Sequence, residues 1–232
     1  MTKPDPLKLP PRIKLVAKKI GEAAGLAIDD YAREVITDEP SITDRWIAAV
    51  EMALRLSKGV GRGATGIVWE AKTLRSSKGH AAEEKRHGAD LLGVAEIHIG
   101  SSVVRKGFLG QAKRTEPGEI LDNSRWKDLQ DQVQVMLKRS PTSFVLAYSK
   151  RHGIRFVPAV TVANLQRRDL FEFNSMSLEQ FFQLHLGCFI GDPHLNKAHI
   201  STLDGMIRLD TGAPDPFSIG HVLEIVVRSE GT

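Results

Sequence analysis

The sequence predicts an α/β protein in which a mixed β-sheet is flanked by helices. The first observation is that two segments with helical apolar spacing enclose three strand-like segments. The second is that two more strand-like segments follow the second helix. The helical segments are 41–59 and 124–138, and the strand-like segments are 66–74, 89–99, 103–114, 143–148 and 153–160. A chain of 232 residues with 41% hydrophobic residues is long enough for one good core.

Composition excludes several classes of protein. No apolar run approaches the roughly 18 residues that a membrane helix needs, and the first residues lack the apolar core of a secretory signal. The single cysteine, Cys188, excludes an intramolecular disulfide framework and a cysteine-based zinc site, and it favours a reducing cytoplasm. A net charge of +4 permits nucleic-acid binding without requiring it.

The chain divides by composition into three parts. Residues 1–40 are predicted to be an N-terminal extension, because four prolines fall within the first eleven residues; a helix over 13–36 would serve packing or dimerisation. Residues 41–165 form the predicted core. Residues 166–232 form a small C-terminal accessory region, with a helix near 178–190 and a strand-like run at 221–227 to which we assign no chemistry.

The first helix of the core is predicted to begin after the break at Pro40, with Ser41 or Thr43 as its cap. Glu51 lies at the edge of its apolar stripe. The glycine-rich run that follows is not a phosphate-binding loop, because it lacks the closing Gly-Lys-Ser/Thr.

The two strands at 89–99 and 103–114 are predicted to form a hairpin. Gly100-Ser101 between them is typical of a two-residue type II′ turn, which pairs residues whose numbers sum to 201. Asp90 then faces Gln111, and Lys113 lies one diagonal step away on the same sheet face. A three-residue loop would instead place Asp90 opposite Ala112.

A carboxylate, an amide and an ammonium at one end of a hairpin match the needs of metal-assisted phosphodiester hydrolysis. Asp90 and the Gln111 amide oxygen can bind Mg²⁺, which prefers oxygen ligands and retains several waters. Lys113 can orient the attacking water or stabilise the charge that develops on the phosphate. The competing interpretation is a polar cluster at the end of an ordinary strand, without chemistry.

The sequence "GAD", followed after a hairpin by "GFLGQAKR", resembles the PD-(D/E)xK superfamily of restriction-endonuclease-like nucleases. In that superfamily an acidic residue on one strand is followed by acidic-x-Lys on the next. The resemblance covers roughly residues 41–160. Gln111 stands where Asp or Glu is commoner, as in a known Gln-x-Lys variant, and Ala89 stands in place of the proline.

The resemblance implies a restriction-endonuclease-like fold and a Mg²⁺-dependent (or Mn²⁺-dependent) deoxyribonuclease used in restriction or anti-phage defence. It implies DNA as substrate and action as a homodimer or with a partner subunit of a defence complex, without a membrane. The alternative is a catalytically inactive subunit that keeps the nuclease fold and binds DNA or a protein partner. Cleavage of RNA stays open, because the proposed chemistry does not distinguish the 2′-hydroxyl.

Further candidates surround this trio. Glu51 from the helix, or Glu84 from the charged connection before the hairpin, would be a third metal ligand; otherwise each is a solvated charge. Glu70-Ala-Lys72 is a second acidic-x-Lys sequence, but no strand before it supplies the partner acid, so an edge strand with polar residues facing water is favoured.

Three residues are candidates for nucleic-acid contacts. Gln132 lies on the flank of the helix after the hairpin, where related nucleases often hold a Gln near the substrate. Lys106 and Arg114 border the trio and would hold phosphates. Each also has the simpler interpretation of an ordinary polar residue at the surface.

Two other features suggest less chemistry. The spacing of His185, His194, His199 and Asp192 matches no common metal-ligand pattern. Cys188 lies in an apolar run and is expected to be a small buried hydrophobe.

Overall fold

The computed structural model describes residues 11–56, 67–75, 88–99, 101–203, 206–210 and 217–229. Five α-helices are present in these ranges: α1 Pro11–Ala32, α2 Glu39–Leu56, α3 Asn123–Leu137, α4 Ala159–Asn164 and α5 Leu178–Leu186. The strands are β1 Ile67–Arg75, β2 Gly88–Ile99, β3 Ser102–Arg114, β4 Ser143–Ser149, β5 Gly153–Pro158, β6 Met176–Ser177, β7 Ile200–Leu203, β8 Met206–Leu209 and β9 Ser218–Ser229.

The described strands form one mixed sheet in the order β6-β5-β4-β3-β2-β9-β8-β7, and β1 also pairs with β9. β2 and β3 are antiparallel, whereas β3 runs parallel to β4 and β2 runs parallel to β9. The predicted α/β class with a mixed sheet flanked by helices is therefore confirmed. The elements predicted from periodicity are present, with ends that differ by a few residues.

The C-terminal strand is where the structure departs from the predicted organisation. β9 lies between β1 and β2 and pairs with both over most of its length. The expected small C-terminal extension thus contributes a central strand of the sheet. Its run of apolar residues is buried on both faces, which is typical of a central strand with a parallel neighbour.

Each face of the sheet carries its own apolar cluster. α1, α2 and α5 cover one face, where Phe108 on β3 is surrounded by phenylalanines of β4, β5 and α5. α3 and α4 cover the other face, where Leu109 is buried. Gly93 pairs with Phe108 across the hairpin, and a Cβ at Gly93 would lie 2.1 Å from the Phe108 ring. Only glycine leaves room for that ring.

The start of α2 corrects the predicted cap. The Asp38 carboxylate accepts the Ser41 backbone N–H at 2.9 Å, so Asp38 caps the helix instead of Ser41 or Thr43. The helix begins at Glu39 and holds Pro40 in its first turn, where proline is tolerated because its missing N–H has no partner there. This earlier start brings Glu39 to the end of β3, where its Oε1 accepts the Arg114 backbone N–H at 3.0 Å.

Candidate metal-binding site at the end of the hairpin

The hairpin has the predicted register. Ile99 pairs with Ser102, and the ladder continues in steps that keep the sum at 201 as far as Leu91 and Gly110. The two-residue loop is therefore confirmed, and the three-residue alternative is wrong.

The chain is distorted at Asp90, one residue beyond the end of this ladder. Ala89 belongs to one apolar cluster and Leu91 to the other, although residues two apart in a regular strand share a face. The register between β2 and β9 likewise passes from Ala89 to Leu91 without a partner for Asp90. The backbone of Asp90 therefore leaves β3, and its side chain takes the place of the backbone acceptor.

The Asp90 carboxylate contacts β3 through Oδ2. This oxygen accepts the backbone N–H of Ala112 at 2.7 Å and also accepts a hydrogen bond from the Gln111 side-chain amide. The predicted contact of Asp90 and Gln111 is present, with the amide nitrogen of Gln111 turned toward the carboxylate. Gln111 itself is buried, at 3% exposure.

Three charges act on Asp90. Burial raises the pKa of its carboxyl above the ordinary value, while the Ala112 N–H and the Lys113 ammonium act to lower it. The Glu39 carboxylate raises the pKa of Asp90, and His221 acts in the opposite direction. The predicted cation thus acts on the carboxylate. α2 supplies a second acid that the sequence did not indicate: Glu39 accepts the Arg114 N–H, two residues along β3 from the Ala112 N–H that Asp90 accepts.

His221 on β9 links Asp90 to α2. Its Nδ1 lies 2.9 Å from the backbone oxygen of Asp90, and its Nε2 lies 2.9 Å from the Asp44 carboxylate as an ion pair without hydrogen-bond alignment. Burial lowers the pKa of His221, but the Asp44 carboxylate and the Asp90 carbonyl outweigh that effect, so the pKa is raised. The C-terminal strand therefore supports the backbone at Asp90.

The donor set fits a small oxygen-seeking cation. Among the described residues, no hydrogen-bond donor reaches Oδ1 of Asp90, Oε1 of Gln111 or Oε2 of Glu39. No three His, Cys, Asp or Glu side chains of those residues converge on one point. Two carboxylates and one amide oxygen suit Mg²⁺, which keeps several of its waters, better than Zn²⁺, which prefers nitrogen and sulfur ligands.

The structure does not bring Glu51 to this site as it does Glu39. Glu51 pairs with Arg55 on α2, and it lies twelve residues after Glu39, which is about 18 Å along the helix. Glu84 lies outside the described residues. For the competing acidic-x-Lys sequence, Glu70 is opposite Val226 and Lys72 is opposite Glu224 on β9. β9 thus separates this sequence from β2.

The three predicted nucleic-acid contacts differ in their surroundings. The structure corrects the prediction for Lys106. This side chain is 4% exposed, and its ammonium donates to the backbone oxygens of His185 and Ile190, at 3.0 Å for Ile190. Lys106 is therefore not available to a phosphate. A cation at the end of α5 complements the helix dipole there. Gln132 on α3 is buried, and its Oε1 has no hydrogen-bond partner. Arg114 is exposed, beside Lys113.

His185 and Asp192 have structural explanations. The His185 ring stacks on Phe181 in the aromatic core. Asp192 accepts the Ser140 hydroxyl at 2.6 Å and joins two loops. The expectation of a buried Cys188 is wrong, because α5 ends at Leu186 and Cys188 follows it at the surface with φ 67°.

A cleft lies at the end of β3, where Arg114 is. Its volume is about 310 Å³, and we call it the polar cleft; it is lined by Tyr31, Glu39, Arg114, Thr115, Glu116, Glu119 and Arg125. Glu39 belongs both to the cleft and to the surroundings of Asp90. Glu39 therefore connects the polar cleft with the charges that act on Asp90.

Three residues of this arrangement escaped the sequence analysis: Glu39, Asp44 and His221. The only available signals were an acidic pair at 38–39 and a histidine that opens an apolar run at 221.

No helix in the described ranges has the length and apolar character needed to cross a membrane. No family model, curated protein or solved structure matches this chain.

Proposed function

We propose that the chain is a metal-dependent nuclease that hydrolyses DNA phosphodiester bonds. The observation that supports it most is the contact of Asp90 with Gln111 beside the Lys113 charge, in a site where both side chains keep an oxygen without a donor. Neither oxygen is among the buried atoms that lack a partner, so both are accessible to solvent and to an ion that prefers oxygen ligands.

Each residue would have one task. Asp90 and Gln111 would hold a Mg²⁺ or Mn²⁺ ion, with Glu39 as the third ligand in place of Glu51. When bound, the ion lowers the pKa of a water and neutralises charge on the phosphate. Lys113 would donate hydrogen bonds to the attacking water and to the phosphate oxygens, as a cation placed where negative charge develops. His221 would keep the Asp90 backbone in place.

The biological setting follows from the resemblance to restriction-endonuclease-like enzymes. We propose a cytoplasmic role in restriction or anti-phage defence, with the chain acting as a homodimer or with a partner subunit that directs it to DNA. The restriction-endonuclease-like fold class belongs to the same proposal. The mixed sheet and the site at its hairpin are compatible with that class.

The test is cleavage of plasmid and linear DNA by purified protein in Mg²⁺ or Mn²⁺. Asp90→Asn and Lys113→Met keep the size of the side chains but remove the charge, and each should lower the cleavage rate by about 100-fold or more. Lys72→Met is the matched control, and it should cut like the wild type. An RNA of the same sequence shows whether the 2′-hydroxyl matters.

The results separate the alternatives. Cutting that survives Asp90→Asn and Lys113→Met but is lost in Lys72→Met would move the site to β1. The inactive subunit is favoured by one observation: Oδ2 of Asp90 already accepts two hydrogen bonds. Such a subunit would bind DNA or a protein equally well in EDTA and after Lys113→Met, and the wild type would not cut.

A further inference from the structure

The polar cleft contains hydroxyl groups without partners. Thr115 is 2% exposed, and its Oγ1 has no hydrogen-bond partner. Tyr31 is buried as a whole, and its hydroxyl, which is accessible to solvent, makes no hydrogen bond with the described residues. Because buried polar groups are nearly always hydrogen-bonded, the Thr115 hydroxyl calls for a bound group that supplies its partner, and the Tyr31 hydroxyl is open to the same group.

The glutamates inside the cleft are already committed. The Glu116 carboxylate accepts the Ser149 hydroxyl at 2.6 Å and the Lys150 backbone N–H at 2.7 Å. The Glu119 carboxylate accepts from Arg125 and from the Glu116 backbone N–H, both at 3.0 Å. Of the three glutamates, only Glu39 keeps an oxygen without a donor, and that oxygen is assigned above to the metal.

The donors that remain favour an acceptor-rich ligand. Arg114 uses Nη1 on the Thr37 backbone oxygen, and its Nε lies 4.0 Å from Glu39, which leaves Nε and Nη2 without hydrogen bonds among the described residues. The Nε and Nη2 groups of Arg114 and the hydroxyls of Tyr31 and Thr115 donate to no acceptor among the described residues, so they are complementary to a phosphate, which offers only acceptor oxygens.

We infer that the polar cleft is a phosphate subsite of the proposed nuclease. It would hold a phosphate of the bound strand next to the scissile one through Arg114 and the hydroxyls of Tyr31 and Thr115. The inference deepens the proposed function and rests on it for the identity of the ligand. A volume of about 310 Å³ accommodates a phosphate with part of its sugar.

The charges of the cleft make this binding depend on the metal. Two arginines and three glutamates line it, which gives a formal charge of 2 − 3 = −1. A divalent ion held by Glu39 and Asp90 offsets that charge, so the subsite accepts a phosphate when the ion is present. Binding should therefore be stronger in a divalent ion than in EDTA.

The experiment measures binding, not cutting. A short DNA duplex with a 3′ fluorescent label is titrated in Ca²⁺ and in EDTA, and its anisotropy is read for the wild type and for Tyr31→Phe/Thr115→Val. The double variant removes only the two unpartnered hydroxyls. Thr202→Val, on exposed β7 away from the cleft, is the matched control.

We expect the double variant to bind about tenfold more weakly in Ca²⁺, with its melting temperature no lower than that of the wild type. Thr202→Val should bind as the wild type does. Thymidine 5′-monophosphate should compete for the wild-type protein, and thymidine should not. Equal binding by the double variant, or equal competition by thymidine, would overturn the phosphate subsite.

The two proposals fail separately. If Asp90→Asn loses cutting and the double variant binds DNA as the wild type does, the nuclease activity is supported and the phosphate subsite is refuted. If the protein binds DNA through its phosphate and needs both hydroxyls to do so, but never cuts, the subsite is supported and the nuclease activity is refuted.

Discussion

Replacing Gln111 by glutamate tests whether the hairpin site is built for a metal. Gln111→Glu removes the amide hydrogen bond to Asp90 and places a second carboxylate against the first, at a position that is 3% exposed. Two unit charges about 4 Å apart repel by about 4 kcal/mol at an effective dielectric constant of 20. The protein can instead protonate one of the two acids, which at neutral pH costs a similar free energy, so the loss of stability does not exceed about that value.

We therefore expect the free energy of unfolding in EDTA to fall by about 3 kcal/mol, which lowers the melting temperature by roughly 6 to 12 °C for a chain of this size. A divalent ion neutralises the pair. At 100 times its Kd, such an ion adds about 2.7 kcal/mol to stability, nearly the whole loss. The variant should thus gain more from Mn²⁺ than the wild type does.

The assay is urea unfolding of wild type and variant, in EDTA and in a Mn²⁺ series. Gln134→Glu, which makes the same charge change on the exposed face of α3, is the control and should unfold like the wild type. An unchanged free energy of unfolding in EDTA would show that the two side chains do not meet in a buried site. A loss that Mn²⁺ does not restore would refute the metal site itself.

Four further predictions concern the framework of the site. Thr43→Val should lower the free energy of unfolding by about 1 to 3 kcal/mol, because the Thr43 hydroxyl links the Glu39 backbone oxygen to a buried tyrosine hydroxyl; an unchanged urea midpoint would contradict it. Thr115→Val, the same exchange at an unpartnered hydroxyl, should leave that free energy unchanged or raise it by about 1 kcal/mol in metal-free buffer, and a clear loss would show a hidden partner. Gly93→Ala should cost about 3 kcal/mol or more, since the added Cβ would lie 2.1 Å from a ring packed on all sides; a thermal melt within 2 °C of the wild type would exclude this packing. Burial lowers the pKa of His185 to about 3, so the folded state keeps this imidazole neutral while the unfolded chain protonates it below its ordinary pKa of 6.5. Stability should therefore fall by about 1.4 kcal/mol per pH unit from pH 6.5 down to about 3, and His185→Gln should flatten that slope in urea titrations at several pH values.

The hairpin shows how far local sequence determines a site. Gly100-Ser101 selects a two-residue turn, and the turn determines which residues of β2 and β3 are opposite each other. For that reason the contact of Asp90 with Gln111 could be predicted without knowledge of the rest of the fold. Short-range turn geometry and strand alternation are sufficient for this step.

The environment of that contact could not be predicted in the same way. Glu39 binds β3 two residues beyond the Asp90 contact because α2 begins two residues earlier than its apolar stripe indicates. His221 contacts the Asp90 backbone because β9 enters the sheet beside β2. Both depend on pairings between residues far apart in the chain. A single sequence contains no periodic signal for such pairings.

Burial is the second property that only the tertiary structure decided. Lys106 and Arg114 are both basic residues on β3, and sequence spacing assigned the same role to both. The fold encloses Lys106 under the end of α5 and leaves Arg114 open beside the polar cleft.

The sequence by itself determined the α/β class, the hairpin and the candidate trio, because these follow from local periodicity and turn chemistry. The packing of α2, α5 and β9 around the hairpin decided which charges surround the trio, because burial depends on contacts between distant segments.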